Sequence, residues 1–213
     1  MALFEARDLD CRRGGRDVFA GLSFSLAAGG ALLLTGANGT GKSSLLRLMA
    51  GLLQPVGGAI LWDDESIAEE PSAHAGRLHY LGHLEAVKPV LSAAENLRFW
   101  AALRGHSADI GAALEHFSLA ALAEVPGRLL SAGQRRRLAL ARLLASPAEL
   151  WLLDEPSVGL DHASVGKLAA AIAQHRAGGG RVVVATHTAL DLPDAQPLAL
   201  DDLPPPPLPE LIW

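Results

Sequence analysis

The sequence has only one cysteine, Cys11, among its 213 residues. An intrachain disulfide is therefore impossible, and we expect the protein to work in a reducing compartment such as the cytosol. Long apolar runs are also missing, since runs such as residues 150–153 and 182–185 fall far short of the roughly 18 residues that a membrane-spanning helix needs. The N-terminus carries acids and no apolar stretch, so no secretory signal is expected.

The sequence has no surplus of basic residues. Its 18 Lys and Arg stand against 23 Asp and Glu, which gives a formal net charge of −5. This balance argues against a protein whose main task is to bind nucleic acid. Hydrophobic residues make up 50% of the chain and charged residues 19%, so the chain can bury a large core.

The hydrophobic pattern predicts strands that alternate with helices. Three short runs are solidly apolar: Leu32–Leu34, Leu150–Leu153 and Val182–Ala185. Such runs are typical of strands buried on both faces of a parallel sheet. Helical signals occupy four segments: Lys42–Leu53, Ser92–Leu103, Ala132–Ala145 and the stretch from Asp161 to Gly178. This order predicts an α/β fold.

Two regions depart from this pattern. Leu3–Cys11 and Leu22–Ala27 alternate apolar and polar residues, which predicts an antiparallel N-terminal β subdomain. We predict one domain in three parts: a core of residues 1–84 and 129–200, an inserted helical subdomain of residues 85–128, and a proline-rich tail of residues 201–213. The tail cannot continue as helix or sheet, and we expect an extended arm.

A phosphate-binding loop follows the first apolar strand. Residues 36–43 read G-A-N-G-T-G-K-S and open a helical pattern, which is the context that this motif requires. Its glycines let backbone N–H groups point at phosphate oxygens, and the helix N-terminus favours negative charge. Lys42 would reach the β- and γ-phosphates, and Ser43 would bind Mg²⁺. The candidate nucleotide-binding residues here are Gly36, Ala37, Asn38, Gly39, Thr40, Gly41, Lys42, Ser43 and Ser44.

Two acids end the second apolar strand. Asp154 and Glu155 follow Leu150–Leu153, at the edge where parallel sheets present ligands. We expect Asp154 to hold Mg²⁺ and Glu155 to orient or deprotonate the attacking water. Lys42 and Glu155 are therefore candidate catalytic residues.

A third motif, Leu130-Ser-Ala-Gly-Gln134, lies about twenty residues before Asp154. With it, and with Asp161 and His187, the chain resembles the nucleotide-binding subunits of ABC transporters over about residues 3–190. The resemblance implies an ATPase with a P-loop NTPase core. It also implies a head-to-tail homodimer in which Ser131 and Gly133 face the γ-phosphate of ATP held by the other copy. In such a pair, His187 would be catalytic and would hold the water.

The chain departs from this family at two places. His83 stands near the position where the family usually has a glutamine that touches Mg²⁺, so we count it as a candidate nucleotide contact; an exposed loop histidine is the alternative. The segment at residues 11–15, C-R-R-G-G, has no aromatic residue to stack on adenine. Either Arg12 or Arg13 could stack there instead.

Whole segments, including residues 80–83, 88–89 and 95–100, resemble the ATP-binding subunit of the bacterial cytochrome c maturation system, the haem exporter. This narrower resemblance implies integral membrane subunits as partners and a peripheral position on the cytoplasmic face of the membrane. The helical insertion, with Phe99 and Trp100, would then dock on those subunits, although aromatic residues there are more often core. The run Arg135–Arg137 is either a solvated helix face or a contact with an acidic partner surface or with phosphate near the signature motif.

Other functions remain open at this stage. A small-molecule or metal exporter would show the same motifs. A soluble ABC ATPase of DNA repair or translation usually has two cassettes or a long coiled coil, and a GTPase should have an Asn-Lys-x-Asp motif. The sequence has none of these features.

Overall fold

The structure is a computed structural model that describes residues 3–105, 109–187 and 190–202. Its first sheet is antiparallel, with the strand order β2-β1-β4-β5. The bounds of these strands are β1 Leu3–Arg13, β2 Arg16–Ala27, β4 Gly57–Trp62 and β5 Glu65–Ser66. The predicted N-terminal antiparallel pair is confirmed, because β1 runs antiparallel to both β2 and β4.

The second sheet has the strand order β6-β7-β8-β3-β9, and every neighbouring pair in it is parallel. Its strands are β3 Ala31–Thr35, β6 Leu78–Leu81, β7 Leu150–Asp154, β8 Arg181–Ala185 and β9 Gln196–Ala199. The three solidly apolar runs of the sequence form β3, β7 and β8, which confirms the predicted α/β fold with a parallel sheet.

Six α-helices surround the sheets in the described part of the chain. They are α1 Lys42–Met49, α2 Pro71–Arg77, α3 Ala93–Leu103, α4 Ile110–His116, α5 Ala132–Ala145 and α6 His162–Ala177. The segment at residues 85–128 contains α3, α4 and two short 3₁₀ turns, with one isolated bridge between Ser92 and Pro126. None of the helices in the described ranges is long and apolar enough to cross a membrane.

The parallel sheet separates two hydrophobic clusters. Along β7, Leu150 and Leu152 pack with the antiparallel sheet and α1, whereas Trp151 and Leu153 pack with α3 to α6. Both faces of the sheet are therefore covered, which explains why its strands have no polar alternation. The carboxyl ends of β3, β7 and β8 consequently meet at one edge, and the loops after them can form a common site.

The predicted helix Lys42–Leu53 is wrong at its C-terminal end. The helix ends at Met49, and Leu52, placed on its apolar face by the 3.6-residue period, is 65% exposed. Gly51 adopts φ +70°, and the N–H groups of Gly51 and Leu52 close on the carbonyls of Leu48 and Arg47. This glycine-centred stop is typical of helix C-termini, and it turns the chain away before Leu52 can be buried.

Several elements have no clear periodic signal and were not predicted. These are the hairpin of β4 and β5, the short helix α2, and β9. Pro197 lies within β9, which pairs only with β3 among the described strands and so forms a sheet edge. A proline is tolerated there because its missing N–H would face away from the ladder. A 3₁₀ turn at Leu200–Asp202 follows directly and contains the first two residues of the predicted tail. The other tail residues, 203–213, lie outside the described residues.

Candidate active site

The loop between β3 and α1 curls through three left-handed glycines. Gly36, Gly39 and Gly41 have φ values of +136°, +89° and +106°, a region that other L residues rarely adopt. Space also demands glycine, because a Cβ on Gly41 would lie 2.5 Å from Val18 Cγ1. The loop ends on the first residue of α1. Its backbone N–H groups and the helix N-terminus are therefore available to bind phosphate oxygens.

Lys42 is held across this loop. Its side chain is 8% exposed, and its Nζ donates to the carbonyl oxygens of Gly36 at 2.6 Å and Ala37 at 2.9 Å. These carbonyls keep the ammonium group at the mouth of the loop without a competing carboxylate partner in the described structure. A phosphate placed in the loop would therefore meet a lysine that is already in position.

Glu155 follows the buried end of β7 and has a strained backbone. Asp154 is 6% exposed at the last position of the strand, and Glu155 adopts φ +48°. The Glu155 N–H donates to Ala185 O at 2.8 Å, at the end of β8. Its Oε1 lies 2.9 Å from His187 Nδ1, and its Oε2 accepts from the His187 N–H at 3.3 Å. The structure thus joins two candidate catalytic residues that are 32 positions apart.

One cavity of about 360 Å³ brings these parts together. Its lining comes from the loop, the two acids and the β1–β2 region: Arg13, Val18, Asn38, Gly39, Gly41, Lys42, Ser43, Ser44, Asp154 and Glu155. Backbone donors and a lysine stand on one side, and two carboxyl groups stand on the other. This is the arrangement that a polyphosphate with a divalent cation requires.

Of the described site residues, Ser131 and Gly133 lie apart from this cavity, at the N-terminus of α5. Ser131 Oγ accepts from the Gln134 N–H at 3.2 Å, and Gln134 Oε1 accepts from the Ser131 N–H at 2.7 Å, which is a capping box. Ser131 itself is exposed. The neighbouring Asp161 caps α6 through the Ser164 N–H at 2.7 Å. Hydrogen bonds from the Ser164 side chain and then from its N–H lower the pKa of the Asp161 carboxyl group.

Comparisons with known proteins agree with this geometry. The family model described as ABC transporter matches residues 19–158. The cytochrome c biogenesis ATP-binding export protein CcmA of Paramagnetospirillum magneticum is 60% identical over 93% of this chain and 94% of its own length. The protein of the same name from Rhodospirillum rubrum is 58% identical over 97% and 89%. The chain belongs to the family of ABC transporter ATP-binding proteins.

The fold is that of the same family. A solved ABC transporter ATP-binding protein from Pyrococcus furiosus superposes with a TM-score of 0.83 at 26% identity, covering 94% of this chain and 98% of that one. The protein is therefore an ATP-binding and ATP-hydrolysing ABC-type ATPase with a P-loop NTPase core, as the sequence motifs predicted.

His83 lies in a different place from the other candidate residues of this ABC ATPase. It lines a second cavity of about 460 Å³, between the end of β6 and α3, together with Arg47, Trp100 and Arg142. The Arg142 guanidinium stacks 4.6 Å from the Trp100 ring centroid, and burial lowers the pKa of this arginine to about 10. His83 therefore lines this cavity and is not among the residues that line the phosphate cavity.

The three arginines after the signature motif do not form a solvated helix face. Arg135 donates to Leu130 O and pairs with Glu85 at 3.4 Å. Arg136 is buried against β7, and Arg137 donates to Phe117 O. The solvated-face interpretation of this charge run is therefore wrong, because each side chain finds a carbonyl of the same chain.

Asp201 is a site residue that the sequence reasoning missed. Its Oδ2 accepts from the Ala37 N–H at 3.0 Å, and a Cβ on Gly36 would lie 3.2 Å from the same oxygen. The only signal in the sequence is an acid that follows an apolar stretch near the end of the core. The pairing of β9 with β3 brings this acid to the phosphate loop.

The structure also separates the two arginines that were alternatives for base stacking. Arg12 Nε pairs with Asp17 Oδ1 at 2.5 Å, whereas Arg13 lines the phosphate cavity beside Val18. Arg13 is therefore the better placed of the two to contact a nucleobase.

Proposed function

We propose that this ABC ATPase is the energy-supplying subunit of a membrane complex that exports or handles haem for cytochrome c biogenesis. The support is the 60% and 58% identity to relatives named as cytochrome c biogenesis export proteins, nearly over their full length. In this proposal the chain binds integral membrane subunits and lies peripherally on the cytoplasmic face of the membrane. The paired Glu155 and His187 beside Lys42 are the observation that carries the ATPase part.

The loop residues would bind the phosphates. The free backbone N–H groups of the loop and of the first turn of α1 would surround the β-phosphate, and Lys42 would exchange its two carbonyl acceptors for β- and γ-phosphate oxygens. This exchange costs little, because each hydrogen bond lost to the loop is replaced by one to a charged oxygen. Arg13 and Val18 contact the base or ribose.

Ser43 and Asp154 would hold Mg²⁺. Both line the same cavity, and a hydroxyl and a carboxylate are the oxygen ligands that Mg²⁺ prefers, with phosphate oxygens and waters completing its shell. The ion would neutralise charge on the phosphates.

Glu155 would act on the attacking water. Its carboxylate is fixed by His187 Nδ1 at 2.9 Å, so it can accept a hydrogen bond from a water or remove its proton as the bond to the γ-phosphorus forms. His187 Nδ1 keeps that carboxylate oriented, and an imidazole that carries a proton on both nitrogens can also donate from Nε2 to a γ-phosphate oxygen. As the bond from the water oxygen forms, the bond from the γ-phosphorus to the β–γ bridging oxygen breaks. ADP leaves with that oxygen, and the proton taken by Glu155 passes to solvent as phosphate is released.

The exposed α5 tip would complete the site of a second copy. Ser131 offers a hydroxyl, and the first turn of α5 offers free backbone N–H groups and a positive dipole end. Placed against the γ-phosphate in a head-to-tail homodimer, this tip would neutralise charge that one copy leaves exposed. Hydrolysis would remove the charge and let the pair open.

The membrane subunits would dock on the cleft between the core and the helical insertion. Trp100 lines this cleft with Arg47 and His83, and Leu84 beside them is 83% exposed. Phe99, half-buried, packs edge-on against Trp100. An apolar surface with basic groups fits an amphipathic cytoplasmic segment that carries an acid.

Glu155→Gln tests the ATPase proposal. The amide keeps the shape but cannot take a proton, so we expect ATP binding to remain, turnover to fall about a thousandfold, and an ATP-dependent dimer to accumulate in size-exclusion chromatography. Glu124→Gln, an exposed acid on the helical insertion, is the matched control. A monomer in the presence of ATP for Glu155→Gln contradicts the homodimer.

Complementation tests the haem proposal. A bacterial strain that lacks its cytochrome c biogenesis ATPase should regain haem-stained c-type cytochromes with the wild-type chain and not with Glu155→Gln. Restored ATPase activity without holocytochrome would leave the ATPase in place and remove the haem role.

A further inference from the structure

Arg136 is the one arginine of the triplet that enters the interior. It is 6% exposed and extends from α5 to the carboxyl end of the parallel sheet. Its Nη2 donates to Glu155 O at 2.6 Å and to Asp154 O at 3.3 Å, and its Nη1 lies 3.5 Å from Gly82 O. Within the described chain, each of these hydrogen bonds ends on a backbone carbonyl.

The hydrogen bond from Arg136 adds to the contacts that hold Glu155 in place. The Glu155 N–H is held by Ala185 O, and its carboxylate contacts His187. Its carbonyl accepts from Arg136 at 2.6 Å and, more weakly, from the Val158 N–H at 3.3 Å. Because Glu155 has φ +48°, a conformation that L residues avoid, the backbone needs partners on both sides to stay there.

We propose that Arg136 is a positioning residue that holds the Glu155 backbone in its left-handed conformation and ties α5 to the catalytic carboxylate. This inference rests on the proposed role of Glu155. Its consequence is a link between two ATP sites. The tip of α5 would contact the nucleotide bound by the partner copy. Arg136, five residues after Ser131 on the same helix, would position the Glu155 carboxylate that acts on the nucleotide of its own copy.

The electrostatic setting supports this role. Burial lowers the pKa of the Arg136 guanidinium, while Glu85, Asp154 and Glu155 act in the opposite direction. The planar guanidinium of arginine can donate to carbonyls on two elements at once. The ammonium of a lysine is a single compact group and is less suited to bridge them. The contact to Gly82 O also places Arg136 next to His83, so one side chain touches the ends of both β6 and β7.

Arg136→Met tests the proposal, with Arg137→Met as the matched control on the same helix. Methionine keeps the apolar stem and removes the donors. We expect kcat for ATP hydrolysis to fall at least tenfold while KM for ATP stays within twofold, because the phosphate loop is untouched. Arg137→Met should keep kcat within twofold. Equal kcat for the two variants, or a parallel rise of KM, overturns the positioning role.

Two further measurements separate positioning from general damage. Arg136→Lys, which keeps the charge, should lower kcat about fivefold at unchanged KM and decides the question if Arg136→Met does not fold. In the Glu155→Gln background, Arg136→Lys should cause no further loss of single-turnover hydrolysis, since both changes act through one carboxylate. A further fivefold loss there overturns the inference. Full turnover by Glu155→Gln alone would instead overturn the proposed function.

Discussion

The phosphate cavity and the tip of α5 differ in how firmly the chain holds them. In the cavity, Lys42 donates to two carbonyls, and Glu155 is bound through its N–H, its carbonyl and its carboxylate. At the tip, the side chains of Ser131 and Gln134 accept hydrogen bonds from each other's backbone N–H groups. The side chains of the cavity therefore find their partners within one chain, whereas the tip presents donors to solvent. In the proposed homodimer, the chain supplies one half of an ATP site that its own contacts hold and one half, the tip, that gains partners only from a ligand.

The largest expected effect is on the cavity half. Lys42→Ala removes about two charge-assisted hydrogen bonds to phosphate, so ATP affinity should fall about a hundredfold. Isothermal titration with a non-hydrolysable ATP analogue measures it. Lys167→Ala is the control, because the Lys167 ammonium donates its one hydrogen bond among the described residues to Ser118 Oγ. This variant should bind the ATP analogue with normal affinity. Equal affinity for both variants would contradict the assignment of the loop.

A comparison of two serines can distinguish the proposed nucleotide contact of Ser131 from its role as a helix cap. Ser131 and Ser92 both form complete capping boxes, so alanine at either position should cost about 1 kcal/mol of stability. Only Ser131→Ala should also lower steady-state ATP turnover, by about tenfold, because it alone would face a partner nucleotide. Thermal unfolding and ATPase assays on both variants test this. An equal loss of turnover would mean that the tip acts through helix stability alone.

Acid should weaken the buried core that supports the cavity. Burial lowers the pKa of His79, whose Nε2 donates to Ser146 O, to about 3. The unfolded chain binds a proton below about pH 6.5 and the folded chain does not, so this group makes stability rise with pH between about 3 and 6.5, by ~1.4 kcal/mol per unit. Its contribution is complete above that range. Urea unfolding at several pH values measures the slope.

His79→Gln is the matched variant for this titration, because the amide can still donate to Ser146 O. Its stability should depend less steeply on pH, by about one proton. Burial also lowers the pKa of His74 and His175, so some slope should remain. An unchanged slope in the variant would show that His79 does not carry the effect.

The smallest expected effect concerns the edge of the cavity. Asp201→Ala removes the acceptor of the Ala37 N–H and should raise KM for ATP about three- to tenfold, with kcat unchanged. Asp201→Asn keeps an acceptor oxygen and should restore a KM near that of the wild type. Steady-state kinetics of the two variants decide it, and a raised KM in both would point to the charge rather than the hydrogen bond.

Strands and helix starts were predictable from the local sequence wherever a single short segment contained the whole pattern. The solid apolar runs predicted three strands of the parallel sheet, and the helical segments that start at Ser92, Ala132 and Asp161 predicted to within one residue where three helices begin. The local sequence pattern failed to predict a helix end that depends on a glycine turn and a strand that depends on pairing with a distant segment. Leu52 fits the helical period, yet Gly51 turns the chain away, and the edge strand β9 exists only because β3 pairs with it.

The roles of charged residues were the least predictable. Arg135–Arg137 are three like residues in a row, and only the fold shows that Arg136 points into the sheet edge while its neighbours contact other carbonyls. A helix advances about 100° per residue, so consecutive side chains face different surroundings. Which arginine is buried depends on what packs against each side of α5.

The order of residues along the chain is enough to predict the α/β fold, the phosphate loop and the two acids, because each of these signals lies in short contiguous stretches. Which residues support the loop and the acids depends on the folded structure. Arg136 under Glu155, Asp201 beside Ala37 and Arg13 in the cavity come from elements far apart in the chain. Their contacts depend on sheet order and helix packing, which no single stretch of sequence encodes.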